Sequence, residues 1–291
     1  MKTLLYNLHV LCCTHSGGII VHKGTVWIIG GSSGLGLATA KAFAADGWFV
    51  VSGARSFGAK TQEGPIRELR LDVTDGESRA SFIREALSLS PRIDALVYCA
   101  AILVLSPCEL TSYDEYARVI QTNFLGMTDF VSRVLPLMRA QKNGKIVLFS
   151  SINGLLGIPF QSAYVASKHA VEGYAECLAL ELEGSGVQVS LVEPGDHRGG
   201  SQRCRLSAAV GPDSPYQGVF TSVVEKIRQD EALGLYPEDL GKKVVRNVNR
   251  DKMRFRIRIA KTEQKAGMVL HDTLPYSVNR RILRSYYRKK G

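Results

Sequence analysis

The chain has six cysteines, Cys12, Cys13, Cys99, Cys108, Cys177 and Cys204, but no C-x-x-C pair and no zinc-type spacing. Neither a metal centre nor a disulfide framework is indicated, and reduced thiols in the cytoplasm are expected. The sequence also lacks an apolar run long enough to cross a bilayer. Its opening, MKTLLYNLHVLCC, has one early lysine and an apolar stretch, yet Asn7 and His9 interrupt it and no small-residue cleavage site follows cleanly. Residues 1–23 are therefore read as an extension in front of the fold. Internal repeats and low-complexity segments are absent, which removes repeat arrays and compositionally biased scaffolds from consideration.

Charge is present but unevenly placed. The net charge is +10, and residues 241–291 hold sixteen Lys/Arg against three Asp/Glu, so that segment carries +13 and the remainder −3. No helix-turn-helix, zinc or RNP pattern accompanies the basic end, so nucleic acid is not an expected partner. Its last stretch, LPYSVNRRILRSYYRKKG, mixes Leu274, Ile282, Leu283, Tyr286 and Tyr287 with Arg and Lys. That composition suits a helix lying on an anionic interface, which would place the protein peripherally at a membrane. The more ordinary reading is a basic helix packed on its own domain. Residues 271–291 are set apart as a basic amphipathic tail.

The middle of the chain alternates. GTVWIIGGSSGLGLATAKAFAADGWFVVSGARS reads as strand, glycine turn, amphipathic helix and strand. Further helix patterns follow at ESRASFIREALSL, Tyr113 to Met138 and Ser162 to Glu183, with buried strands at IDALVYCAA, GKIVLFSS and VQVSLVEPG. Near-continuous Val/Ile/Leu strands separated by helices predict an α/β, doubly wound parallel sheet (a Rossmann fold) covered on both faces. A single domain over residues 24–270 is expected, with a mobile lid of short helices at 196–220. RFRIRIA predicts an edge strand with Phe255, Ile257 and Ile259 on one face and Arg254, Arg256 and Arg258 on the other.

GGSSGLG places Gly30, Gly34 and Gly36 in a GxxxGxG spacing between a strand and a helix. Glycines there let the backbone turn tightly and approach a pyrophosphate at a helix N-terminus. The second strand of the unit ends SGARS, with Arg55 at its tip and no carboxylate. A guanidinium pairs with a 2′-phosphate that a carboxylate would repel, so NADP(H) is favoured over NAD(H). Tyr164 and Lys168 lie four apart on a predicted helix and share a face. A phenol with a reference pKa near 10 exchanges protons near neutrality only if a neighbouring cation lowers it, and Lys168 is placed to do so. Ser151 closes a strand at the carboxyl edge of the sheet, where such sheets bind ligands.

Taken together, GxxxGxG, LDV (Leu71, Asp72, Val73), Asn123 in QTNFLG, Ser151, YVASK and EPG resemble the short-chain dehydrogenase/reductase family over about residues 24–200. The resemblance implies hydride transfer between a carbonyl and the corresponding alcohol. Tyr164 would be the general acid of reduction and the base of oxidation. Lys168 would lower its pKa and hold the nicotinamide ribose, Ser151 would hydrogen-bond the substrate oxygen, and Asn123 would fix a water linking Lys168 to solvent. Asp72 and Val73 would flank the adenine. Ser32, Ser33 and Leu35 of the glycine turn, with Cys99, Pro194 and Gly195, would complete the cofactor wall.

It also implies a homodimer or homotetramer formed through the helices at 113–138 and 162–183, and a small-molecule substrate that is a ketone, an aldehyde or the matching alcohol. A lipophilic carbonyl of steroid, retinoid or lipid type is expected. The chain departs from the family at Cys99 and Ala101, which replace an Asn and a Gly beneath the cofactor, at Ile29, and at Gly199, which replaces a Thr. His197 and Arg198 are candidates to supply polar groups in place of that Thr. These departures leave open a second reading, an NADP(H)-binding sensor with little turnover.

Overall fold

The computed structural model describes residues 13–15, 18–20, 22–58, 64–199 and 205–287. Most of the N-terminal extension, Cys204 and the last four residues lie outside that set. Two short strands, β1 (Cys13–His15) and β2 (Gly18–Ile20), pair antiparallel ahead of the main fold. The α/β unit then runs β3 (Thr25–Ile29), α1 (Gly34–Ala45), β4 (Phe49–Ala54), β5 (Ile66–Arg70), α2 (Gly76–Leu89), β6 (Ala95–Tyr98) and β7 (Leu103–Leu105). It continues through α3 (Tyr113–Ile120), α4 (Gly126–Gln141), β8 (Gly144–Phe149), α5 (Ser162–Glu181), β9 (Val187–Pro194) and β10 (Arg205–Ser207). Helices α6 (Gln217–Ala232) and α7 (Pro237–Val248), strand β11 (Arg256–Ile259), and helices α8 (Thr262–Thr273) and α9 (Tyr276–Tyr287) complete it.

Seven strands form one parallel sheet in the order β11-β9-β8-β6-β3-β4-β5. Strand β3 sits inside it, and its alternation shows why both faces must be covered. Trp27 and Ile29 pack with Phe82, Phe130 and Val171 of α2, α4 and α5, whereas Val26 and Ile28 pack with Phe43, Leu240 and Val244 of α1 and α7. The Trp27 and Phe82 rings meet edge to face at 5.8 Å and 87°, a geometry worth about 0.5–1.5 kcal/mol beyond the area buried. Helix starts follow their caps. Asp75 accepts from the backbone of Glu77 and Ser78 at α2, and Ser112 and Glu115 cap α3 reciprocally.

Four expectations are corrected. The helix expected over 113–138 is interrupted by a π-type turn at Gln121–Leu125 that carries Asn123. The lid contains β10, which pairs parallel with β7, and runs at Gln217 into the 16-residue helix α6 in place of short helices. The pairing satisfies the backbone of Leu103–Leu105, which belongs to no other sheet. The boundary expected at residue 270 falls inside α8. Strand β11 is an edge as expected, with Ile257 and Ile259 in the α1/α7 layer, but Phe255 lies just before the strand and packs on the opposite layer.

The arginines of β11 are also not a solvated face. Glu193 of β9 is fully buried and accepts from Arg256 Nη1 and Arg258 Nε, each at 2.6 Å. Arg256 also reaches Glu172 and Glu176 on α5 at 2.5 and 2.7 Å. Part of the positive charge counted at the C-terminal end thus balances carboxylates inside the fold.

Candidate active site

The loops at the carboxyl ends of the parallel strands surround a cavity of about 920 Å³. At one end the chain leaves β3 at Gly30, whose φ of +90° and closeness to Ala100 require glycine: an added Cβ would lie 2.6 Å from the Ala100 nitrogen. A Cβ at Gly36 would collide with the Gly30 carbonyl oxygen, so the first turn of α1 packs directly on the loop. Ser33, the N-cap of α1, makes no side-chain capping bond, and the first helical turn holds no acidic residue. The helix N-terminus therefore keeps its partial positive charge for an anion. Gly30, Ser32, Ser33, Leu35 and Gly36 line the cavity, while Gly34 bends the chain with φ +52° behind them. This arrangement fits the pyrophosphate of a dinucleotide.

Beside it, Arg55 extends from the end of β4, exposed and on the cavity wall. The wall beyond is Leu71 and Val73 rather than Asp72. The Asp72 carboxylate instead accepts from the Thr74 backbone at 2.9 Å and the Thr74 hydroxyl at 2.7 Å. Burial opposes its ionisation, but those bonds and the Arg55 and Arg70 charges hold its pKa below the ordinary carboxylate value. Asp72 thus shapes the turn that presents Val73.

The floor is Cys99, Ala100 and Ala101. Burial pushes the Cys99 thiol well up, so it remains protonated and offers no nucleophile. The floor is tied from below by Asn123, which is 1% exposed and not on the cavity wall. Its Oδ1 accepts from Ile102 N at 2.8 Å, and its Nδ2 donates to Ile102 O at 2.9 Å and to Ser167 Oγ at 3.0 Å. The side chain expected to hold a relay water thus also fixes the residue just ahead of β7. That bracing lies one residue beyond the CAA departure.

At the other end the side chains predicted to react converge. Tyr164 and Lys168 of α5, and Ser151 just beyond β8, all line the cavity. Lys168 is 3% exposed, donates to the Phe149 carbonyl oxygen at 2.6 Å, and places its Nζ 5.7 Å from the centre of the Tyr164 ring. The strand end that carries Ser151 thus also orients the lysine. Ser151 is buried, with its Oγ accepting from Asn153 N at 3.1 Å. Pro194 and Gly195 close the wall at the end of β9, held by Gly195 N donating to Ile259 O at 2.9 Å.

The two candidates for replacing the missing Thr part company. Arg198 turns outward, donating to Gly234 O and Tyr236 Oη at 3.1 and 2.7 Å and stacking 4.3 Å from the Tyr236 ring. His197 stays on the cavity wall, buried, with Nδ1 bonded to Gly195 O at 2.8 Å. Burial lowers its pKa, so it is a neutral imidazole.

Several wall residues carry no motif. Asp196 follows the Pro-Gly turn, and burial with the nearby Asp230 and Glu231 raises its pKa to about 6. Leu103 of β7, Ile227 of α6, and Leu283, Tyr286 and Tyr287 of α9 enclose the half of the cavity beyond Tyr164. The only sequence signal for the α9 group is the i, i+3, i+4 spacing of its apolar side chains.

The family model for short chain dehydrogenase matches residues 24–203. A 3-ketodihydrosphingosine reductase of Bacteroides thetaiotaomicron is 33% identical over 263 residues, covering 90% of this chain and 97% of the relative. Human retinol dehydrogenase 8 is 38% identical over 184 residues, covering 59% of this chain and 58% of its own. Among solved structures, a short-chain dehydrogenase from Streptomyces avermitilis superposes with a TM-score of 0.74 at 25% identity, covering 90% of this chain and 97% of that one.

Proposed function

This chain belongs to the short-chain dehydrogenase/reductase family of oxidoreductases, and from that premise we propose that it interconverts a lipophilic ketone or aldehyde and the corresponding alcohol with NADP(H). The observation that carries the reading is the meeting of Ser151, Tyr164 and the buried Lys168 on one wall of a cavity whose far end is a glycine cradle at an uncapped helix. The dinucleotide, when bound, supplies or accepts the hydride. As the carbonyl oxygen gains negative charge, Tyr164 donates its phenolic proton to it and Ser151 donates a second hydrogen bond. Donors aimed at that oxygen stabilise the transition state more than the ground state. The Lys168 ammonium favours the phenolate that remains, and in the oxidative direction the same phenolate takes the alcohol proton.

Arg55, at the tip of β4 with no carboxylate beside it, supports NADP(H) over NAD(H). The apolar side chains beyond Tyr164, which share that wall with Asp230, Glu231 and Glu263, support a lipid-like substrate, in keeping with the names of the two relatives. Exposed Leu125 and Leu180, just ahead of α4 and on α5, suit a homodimer or homotetramer formed through those helices. Among the described residues no helix is long and apolar enough to cross a membrane.

The test is NADPH absorbance with a series of ketones of increasing alkyl length. Oxidation of NADPH that grows with chain length is expected. Tight NADPH binding without turnover of any ketone would replace this reading with the sensor.

A further inference from the structure

Six of the thirteen exposed large apolar side chains among the described residues lie on α8 and α9: Val269, Leu270, Tyr276, Val278, Ile282 and Tyr286. Three of them, Leu270, Ile282 and Tyr286, are 44%, 44% and 48% exposed and also line the cavity. A side chain that does both stands at the rim of an opening, so the cavity opens to the outside between these two helices.

Helix α9 divides into stripes. Asn279, Leu283 and Tyr287, four apart, face the domain, and Asn279 is fixed by Nδ2 donating to His271 O and Leu274 O at 2.8 and 2.9 Å. Tyr286 pins the helix to α6, donating to Asp230 Oδ2 at 2.8 Å with Lys226 Nζ 4.4 Å from its ring. Val278, Ile282 and Tyr286 form a second stripe at the same spacing, and Arg280 and Arg284 a third, with Arg281 between. The three arginines are exposed, α9 contains no acidic residue, and the exposed Glu263, Lys265 and Asp272 of α8 still leave the two helices net positive. An apolar stripe flanked by arginines, on a face with an excess of positive charge, matches one kind of surface: acyl chains beneath anionic headgroups.

We propose that the outer face of α8 and α9 docks on an anionic lipid bilayer, so that the cavity opens into the membrane and a lipophilic carbonyl reaches Tyr164 without crossing water. The proposal rests on the reading of this cavity as a site for lipophilic carbonyls. It makes the tail two things at once, a wall of the site on its inner stripe and a membrane contact on its outer one.

The experiment is flotation of the full chain with phosphatidylcholine vesicles, with and without phosphatidylserine. The wild type is expected to float with the phosphatidylserine vesicles and to be released by salt. Each arginine near such a surface is worth about a fivefold factor in partitioning, so the combined Arg280→Glu, Arg281→Glu, Arg284→Glu variant should bind about a hundredfold or more weakly. Val269→Ser with Val278→Ser should weaken binding to both vesicle types. Turnover of a short water-soluble ketone should be unchanged in both variants, while turnover of a long-chain ketone carried in the vesicles falls.

Failure of the wild type to float with anionic vesicles would overturn the proposal, as would equal flotation of the arginine variant. So would a face that proves to join two copies of the chain, seen as a dimer in sedimentation that the serine variant makes monomeric without any vesicle binding. Vesicle binding is read without substrate. Normal salt-sensitive flotation with no ketone turned over would thus support the docking and remove only the reading of the site.

Discussion

The two halves of the cavity are built by different means. The cofactor half rests on strand ends and tight turns, where Gly30, Gly36 and the Asn123 brackets leave little freedom. The substrate half is enclosed by α6, α8 and α9, with half-exposed side chains and few bonds to the sheet. Substitution in the first half should change the chemistry or the cofactor. In the second half it should change which substrate is used. A family can thus keep one reaction while its members differ in what they accept.

That contrast can be broken by experiment, most sharply at Tyr164. Tyr164→Phe removes the proton donor and leaves the ring, so turnover should fall by about 10²–10⁴-fold while NADPH binding, followed by fluorescence, is retained. An active phenylalanine variant would end the proposed mechanism. Next comes Arg55→Asp. Loss of a charge-assisted pair with the 2′-phosphate, plus new repulsion, should weaken NADPH by about 10–100-fold and leave NADH nearly untouched. Equal losses for both would show that Arg55 reads no phosphate.

A third test concerns stability, because Asp196 lies where the halves meet. Its folded-state pKa of about 6 stands above the ordinary 3.8. The native state therefore holds a proton that the unfolded state releases, so this contribution to stability is intact below about pH 4 and is lost as pH rises to about 6. Asp196→Asn should accordingly raise the unfolding free energy measured in denaturant at pH 7 by roughly 1–2 kcal/mol and leave it unchanged near pH 4. A gain of the same size at both pH values would refute the buried-carboxylate account. The smallest effect is expected in the substrate half. Leu283→Ala should raise KM for long-chain ketones by about 3–10-fold with kcat little changed, since an apolar contact of this size is worth about 1 kcal/mol of uniform binding.

The same division decides what could be read from the residues alone. The glycine turn, Ser151, Tyr164 and Lys168 were legible because chemistry at a strand end or on one helical face needs particular residue types at fixed spacings. The sheet was legible because a strand covered on both faces must be apolar throughout. Other features were not, since they depend on contacts between distant segments. Arg256 and Arg258 could be placed on one face of an edge strand but not paired, because Glu193, their buried partner, lies more than sixty residues earlier. Asn123 carried only the relay role that the resemblance implies, and its bonds to Ile102 and Ser167 could not be read from the residues. The α9 wall had no motif because apolar enclosure can be achieved by many side chains.

The pairing of Glu193 with β11 has a consequence for how the molecule is made. Strand β9 delivers Pro194 and Gly195 to the cavity, but the carboxylate just before them has its cationic partners at residues 256 and 258. A buried charge left without its partner costs several kcal/mol. During synthesis, β9 lacks these partners until residues 256 and 258 have emerged, whereas the glycine turn and Tyr164 emerge well before. A finished wall would thus wait on β11, and a product terminated before residue 256 would carry the signature residues without it.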